Sequence, residues 1–534
     1  MTRYFIGIDV GTGSARAGIF DDSGTMVSKA KREIALFREG PDIAEQSSND
    51  IWRAVCASVR EAVSAADLRA EDISGLGFDA TCSLVVLGPG GVPLPVGASG
   101  DDKRNIIVWM DHRALDQAHR INRTGHPILN YVGGKISPEM ETPKLLWLQE
   151  NLPATYESAW QFFDLADFLT WRATGSLARS VCTVTCKWTY LAHEKRWDGS
   201  FFKGVGLDDL VADGFAKIGT EIAYPGQALG HGLTPEAARQ LGLNPGTPVA
   251  AGLIDAHAGG VGSVGGQGGD GGITTRLAYV FGTSACTMMS SAEPLYIPGV
   301  WGPYYSAMVP GLWLSEGGQS AAGAAIDYLV AMHPASQEAA AAASTAGLSL
   351  PEWLGWEAAK ASPSLSSAVH LAKQLHVVPD FLGNRAPLAD PHARGTITGL
   401  GMEQDLTSLV SLYVAGLLGL GYGLRQIIAA SRERGAVVDA IALSGGAGQH
   451  PVVRQLIADS TGIPVLVSRE SDPVLLGSAM LASVAAGTFR DLQAAMAGMS
   501  ALGERYAPAD GEISELHERR FRAFDTLQKT ALSL

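Results

Sequence analysis

The feature that most narrows the folds open to this chain is a piece of local grammar written twice. A short β-rich apolar run from Tyr4 to Ile8 breaks at Gly11-Thr12-Gly13-Ser14, and a second apolar run, Ala17 to Phe20, follows before Asp21-Asp22-Ser23-Gly24. Short apolar runs bounded by Gly, Ser and Asp read as strands, and two of them around a small polar break form a hairpin. Near Leu277 the pattern returns, with strand-like LAYVF, the tip Gly282-Thr283-Ser284, and then ACTMM. Such self-similarity points to an internal duplication. Two lobes, each opening with a hairpin, would bring two polar tips face to face across one cleft, with room for nucleotide phosphates between them.

The rest of the chain alternates between helix and strand. IWRAVCASVREAV reads as an amphipathic helix, ISGLGFDATCSLVVL as a strand with a break, and LTSLVSLYVAGLLGLGYGLRQIIAA as a long buried helix. From Asp439 the order is strand AIALSGGAG, helix PVVRQLIADSTG, strand VLVSRE, and a helix from Val474 towards Gly487, the layout of an α/β nucleotide-binding lobe. The glycine-rich stretch from Val261 to Gly272 closes the first half and is expected as an interlobe connection or flexible turn. The lobes are therefore drawn as 1–271 and 272–534, with a polar, helical C-terminal tail from about 489 that has only a structural role.

Composition removes several classes of function. With 46% hydrophobic and 18% charged residues in 534, the chain has enough apolar content to bury a core and is not disordered. A net charge of -14 disfavours a nucleic-acid partner, because phosphate neutralisation needs clustered Lys and Arg. MTRYFIGIDVG runs straight into a strand pattern without the features of a secretory signal, and no apolar run is read as reaching the ~18 residues of a membrane span. A cytoplasmic location is expected, with no membrane partner. The five cysteines, Cys56, Cys82, Cys182, Cys186 and Cys286, are scattered and odd in number, so free thiols are expected. Cys182 and Cys186 stand four apart but lack a second Cys/His pair at zinc-site spacing.

Several motifs could carry chemistry. In DVGTGS, Asp9 precedes a loop whose glycines allow close backbone approach to a phosphate, although a locally capped turn has the same look. It is neither a Walker A loop nor a dinucleotide fingerprint. AGLIDAHAGGVG puts Asp255 at a strand-to-helix junction, as an N-cap or as a carboxylate facing a cleft. LSGGAGQH joins a strand to a helix N-terminus, where paired glycines admit a flat ring and the helix favours an anion. The segment DPVLLGSAMLASVAAG carries small residues for close helix packing. Lys187 in CTVTCKWTY and Glu316 in WLSEGGQSAAG are charges in apolar or glycine-rich settings, where a surface position is the ordinary reading. Asp79, Thr81 and Cys82 in FDATCSLVV line a pocket or a plain turn, and His112, between Asp111 and Arg113, reads as a hydrogen-bonded structural group.

Taken in order, IGIDVGTGSARAGIF, VWMDHRA, GLIDAHAGGVG, FGTSACTMM, NRAPLADPHARGTITGL, LSGGAGQH and VLLGSAMLASVAAG make the chain resemble the FGGY carbohydrate kinases over nearly its full length. The resemblance implies an α/β fold of two actin-like (ribonuclease H-like) lobes, MgATP bound between them, and phosphorylation of a sugar or polyol hydroxyl. GFDATCSLVV, YVGGKISPEMETPKLLWLQENL, FFDLADFLTWRATG and VCTVTCKWTY are most similar to the pentulose and ribulose kinases, and among these to the D-ribulose kinase branch. Thr81-Cys82 stands where glycerol kinases carry an Arg-Glu pair, which argues against glycerol.

Carried over by position, the resemblance makes Asp255 the general base, with Asp9 and Asp255 near the metal. Thr12, Gly13 and Ser14 match one phosphate loop, and Gly282 and Thr283 the other. Gly445, Gly446, Gln449 and His450 match the adenosine-side loop, with Gly323 and Asp327 near the nucleotide. Cys82, Lys187, Asp255 and Glu316 match the sugar-holding positions, which moves Lys187 and Glu316 from the surface into a pocket. D-ribulose, converted to D-ribulose 5-phosphate deep in the first lobe, is the expected substrate. L-ribulose, ribitol or xylulose are the alternatives, and a non-catalytic sugar- or ATP-binding protein stands further off. The oligomeric state, a homodimer included, is left open.

Overall fold

The computed structural model describes residues 3–534. In the first half, Tyr4–Val10 pairs antiparallel with Ser14–Asp21, and that strand with Met26–Glu33. On its other side Tyr4–Val10 runs parallel to Ile73–Ala80, which is parallel to Leu253–Ile254. In the second half Arg276–Phe281, Ala285–Ser291 and Trp313–Gln319 form the same antiparallel set, continued in parallel by Ala440–Ser444 and Val465–Ser468. The duplication read from two hairpin tips thus extends over two whole sheets. These are two ribonuclease H-like lobes, the second widened by edge strands Trp301–Tyr305 and Leu502–Tyr506.

Burial explains the strand sequences. Tyr4–Val10 lies mid-sheet and is buried on both faces, which is why it reads as an unbroken apolar run. Met26–Glu33 is the sheet edge, and its sequence MVSKAKRE keeps lysines there, where they discourage pairing with another chain. The helix Ser48–Ala65 covers the hairpin with Ile51, Val55, Val59 and Ala62 at helical spacing, and the Ser47 side chain caps it by accepting from the Asp50 N–H. In the second lobe Leu406–Arg432 has the length and mean hydropathy (1.5) of a membrane span, contrary to the expectation that no run reaches that threshold. Its apolar window is 78% buried inside the protein, so packing within the lobe consumes that apolar surface.

Two further expectations are corrected. The stretch from about 489 is not wholly helical: between the helices Leu492–Met499 and Gly511–Leu532, Leu502–Tyr506 adds a strand to the second sheet beside Val465–Ser468. The glycine-rich connection is no flexible turn, because the Arg276 guanidinium donates to the carbonyls of Val264, Gly266, Gly268 and Asp270 at 2.9, 2.7, 2.5 and 2.8 Å. One arginine on the first strand of the second sheet staples the linker in place.

The small-residue helix Pro473–Ala485 does pack closely, and it packs on the first sheet although it lies beyond residue 271. A Cβ at Gly7 would collide with the Leu475 carbonyl oxygen and one at Gly77 with that of Ser478. The same helix crosses Asp255–Val264 at Gly477 and Gly262, where a Cβ would strike the carbonyls of Ala258 and Pro473. Chain order and packing therefore divide the molecule differently. Gly77→Ala is expected to lower the unfolding free energy by about 1–3 kcal/mol, the usual cost of forcing an extra carbon into a packed contact. Chemical denaturation with an unchanged m-value checks it.

Candidate active site

The parallel strands of the first sheet deliver three carboxylates to one edge. Asp9 sits beside Asp79 in the register, Asp79 beside Leu253, and Asp255 follows as the first residue of its helix. Asp9 and Asp79 are buried and Asp255 is half-buried. Arg16 donates from Nε to Asp9 at 2.6 Å and from Nη1 to Asp472 at 3.0 Å, tying the first strand to the start of the crossing helix. Asp79 accepts from Ser478 Oγ at 2.6 Å on one oxygen, while its other oxygen is buried without a partner.

Burial, and then the neighbouring Asp9, push the Asp79 carboxyl well above the usual range. The same two causes raise Asp255 to about 6, against the Ala256 N–H that donates to it at 2.7 Å. Carboxylates forced this close raise one another's proton affinity, and a divalent cation relieves the repulsion. The donor set is all oxygen, with one buried oxygen unspent, which fits a hard cation such as Mg²⁺. Asp79, for which the sequence allowed a pocket or a turn, belongs to this cluster; its position on a buried strand beside Asp9 was the available signal.

A cavity of about 700 Å³ opens in the second lobe and gathers residues from three separate motifs. Gly282 and Thr283 of the second tip, Gly323 and Asp327 of the helix Gly323–Ala331, and Gly446, Gln449 and His450 all line it. Its apolar wall includes Ile326, Tyr413, Leu417 and Val453. The N–H groups of Ala322 and Gly323 donate to the carbonyls of Thr283 and Gly282 at 2.9 Å each, fastening that helix to the tip. Gly445 lines an adjoining cavity of about 450 Å³ together with Gln449. Its φ of +93° and the nearness of the Phe281 backbone leave no space for a side chain. Thr12, Gly13 and Ser14 are not among the residues lining the larger cavity. They follow Asp9 in the first hairpin, where Thr12 Oγ1 accepts from Trp109 Nε1 at 3.0 Å and the Thr12 carbonyl from Gln46 Nε2 at 2.7 Å.

A third group is buried and charged. Cys82, Lys187 and Glu316 are 9%, 3% and 4% exposed, so the surface reading for the two charged residues fails. Lys187 ends the helix Val181–Lys187 with its Nζ 4.7 Å from the centre of the Trp301 ring, and the Arg385 guanidinium lies 5.5 Å from the same ring. Burial raises the Glu316 carboxyl, but Lys187 and then His257 outweigh it and hold Glu316 down at about 2. Burial lowers Lys187, but Cys82 and Glu316 outweigh it and keep its pKa well above the ordinary lysine value. His257 Nε2 lies 3.2 Å from Glu316 and its Nδ1 3.0 Å from Cys182 Sγ.

Glu316, Trp301 and Arg385 all come from the second half of the chain. The buried charged group is therefore drawn from both halves of the chain rather than from the first alone. Trp301, Arg385 and His257 went unassigned in the sequence. Arg385 lay within NRAPLADPHARG and His257 two residues after Asp255, but nothing local marked either as facing Glu316.

Two duplicated ribonuclease H-like lobes, a carboxylate edge and a cavity that gathers the second hairpin tip with a strand-to-helix loop are the architecture of an actin-like phosphotransferase. Residues 4–262 match the N-terminal domain, and 277–486 the C-terminal domain, of the FGGY family of carbohydrate kinases. The chain belongs to that family and is a carbohydrate kinase. It is 48% identical over 533 residues to a human FGGY carbohydrate kinase domain-containing protein, covering 98% of this chain and 95% of that one. It is 38% identical over 517 residues to a D-ribulokinase of Saccharomyces cerevisiae, covering 91% and 72%. The crystal structure of a xylulose kinase from Rhodospirillum rubrum superposes with a TM-score of 0.79 at 24% identity, covering 99% of both chains, which bears on the fold alone.

Proposed function

We propose that the chain transfers the terminal phosphoryl group of ATP to a hydroxyl of a pentulose, converting D-ribulose to D-ribulose 5-phosphate. The observation that carries the reading is that Asp255, half-buried with its pKa raised to about 6, opens the helix whose His257 lies 3.2 Å from Glu316, the buried carboxylate that Lys187 holds ionised. A carboxylate in that range is poised to take a proton from an alcohol near neutral pH. Adenosine is assigned to the cavity walled by Tyr413 and Leu417, and the phosphates to Gly282 and Thr283 on one side and Thr12, Gly13 and Ser14 on the other. Asp9 and Asp255, with Asp79 behind them, are the residues that would hold Mg²⁺; the bound ion neutralises charge on the phosphates.

Lys187 donates to the sugar and Glu316 accepts from it, beside Cys82. As the sugar oxygen bonds to phosphorus, the bond to the ADP oxygen breaks and the hydroxyl proton passes to Asp255. Lobe closure keeps out the water that would otherwise intercept the phosphoryl group.

The choice of D-ribulose is supported by the name of the yeast relative and by Thr81-Cys82 in place of the glycerol-kinase pair. The test is ADP release across pentuloses, pentitols and glycerol. D-ribulose is expected to give the highest kcat/KM, by at least about tenfold over glycerol, because buried groups left unpaired by a poor substrate penalise it. Equal or better turnover of L-ribulose, ribitol or xylulose would replace the substrate while leaving the kinase reading standing.

A further inference from the structure

Behind the sugar pocket stands a cluster that the proposed transfer does not use. Cys182, Cys186 and His257 are each fully buried, and their two sulfurs and one ring nitrogen lie within 4.8 Å of one another. In sequence the two cysteines lacked a partner pair. The fold supplies the missing imidazole from a helix more than seventy residues downstream.

We propose that Cys182 Sγ, Cys186 Sγ and His257 Nδ1 form a three-ligand site for a thiophilic divalent cation of the zinc class. Four observations support it. The donors are soft sulfur and imidazole nitrogen, the set that selects such cations over Mg²⁺. The cysteines are one helical turn apart, on the helix Val181–Lys187, so both thiols stand on the same face. The far nitrogen of the imidazole, Nε2, lies 3.2 Å from the Glu316 carboxylate, the carboxylate–histidine pairing that orients a metal-bound imidazole. The Ile254 N–H points to Cys182 Sγ at 3.4 Å, a donor able to stabilise a metal-bound sulfur.

Tetrahedral bonds of the usual zinc lengths require sulfur–nitrogen edges of roughly 3.6 Å. The Cys182–His257 pair, at 3.0 Å, would have to open by about half an ångström. Cation entry displaces the protons now held among the two sulfurs and Nδ1, including the one shared between Cys182 Sγ and His257 Nδ1, and these leave to the buffer.

The site is wired to the sugar pocket through one covalent neighbour and one hydrogen-bonded pair. Cys186 precedes Lys187, and His257 shares its other nitrogen with Glu316. Resting on the reading that Lys187 and Glu316 hold the sugar, a cation drawn into the cluster is an inhibitor that raises the sugar KM and spares ATP.

The test titrates Cd²⁺ into the full-length, reduced protein in excess Mg²⁺. Expected are one equivalent of cadmium–thiolate ultraviolet absorption, and a sugar KM raised about tenfold or more with the ATP KM unchanged, a shift of the size ordinary for coupled sites. Cys182→Ser and Cys186→Ser each lose the absorption, and Cys56→Ser keeps it. Should the serine variants fail to fold, cadmium NMR of the unaltered protein decides, because the chemical shift separates sulfur-rich from all-oxygen ligand sets. An all-oxygen shift, no thiolate band, or a band that survives in both folded variants overturns the site. A band with an unmoved sugar KM upholds the site and overturns the inhibition, while the sugar role of Lys187 is decided separately by the kinetics of Lys187→Met.

Discussion

Asp255→Asn is expected to cut kcat by about 10²–10⁴-fold, the range that a positioned general base contributes, while leaving the affinity for ATP within about twofold. The substitution is nearly isosteric, and the amide oxygen can still accept the Ala256 N–H that now reaches Asp255 at 2.7 Å. What is lost is an acceptor for the sugar proton and one negative charge beside Asp9 and Asp79. Removing that charge relieves repulsion among the carboxylates, so the fold should be no less stable than before. Steady-state kinetics with D-ribulose and calorimetry with ATP separate the two effects. Near-normal turnover removes Asp255 from the role, and a joint loss of ATP binding and turnover would mark it as a nucleotide residue.

Lys187→Met is expected to raise the sugar KM by at least about 10²-fold and to destabilise the protein by about 3–5 kcal/mol, the cost of leaving a buried carboxylate without its cation. Glu316 is 4% exposed and is held ionised by Lys187 first and His257 second, so the methionine leaves only the histidine beside it. The paired change Lys187→Met with Glu316→Gln separates structure from recognition. Removing both charges restores most of the stability, because no unpaired charge remains, but does not restore sugar binding. Thermal unfolding and sugar kinetics on the single and double variants check this. Full recovery of the sugar KM in the double variant would leave Lys187 with a purely structural role.

Much of this was legible because the signals were local. Two hairpin tips announced the duplication, since a glycine-rich break between short apolar runs leaves the backbone few alternatives. Gly282, Thr283, Gly323, Asp327, Gly446, Gln449 and His450, carried over on motif resemblance, line one cavity. All but Asp327, one turn into the helix Gly323–Ala331, follow a strand or open a helix, where chain geometry alone aims residues at the cleft. The tail failed for the converse reason. Nothing in the sequence of Leu502–Tyr506 shows that the Val465–Ser468 edge is open to receive it. The apparent absence of a long apolar segment failed similarly, because Leu406–Arg432 reads as membrane-like or as core depending on what surrounds it.

The sequence by itself determined the elements, their repetition and the family, because periodicity, turn chemistry and ordered motifs are carried by neighbours along the chain. Only the tertiary structure decided that Asp79 completes the carboxylate edge, that the helix after Asp472 belongs to the other half's sheet, and that His257 stands between Glu316 and Cys182. Those are meetings of residues far apart in sequence. A side chain's charge, exposure and partners are set by what surrounds it after packing, and no local pattern records that.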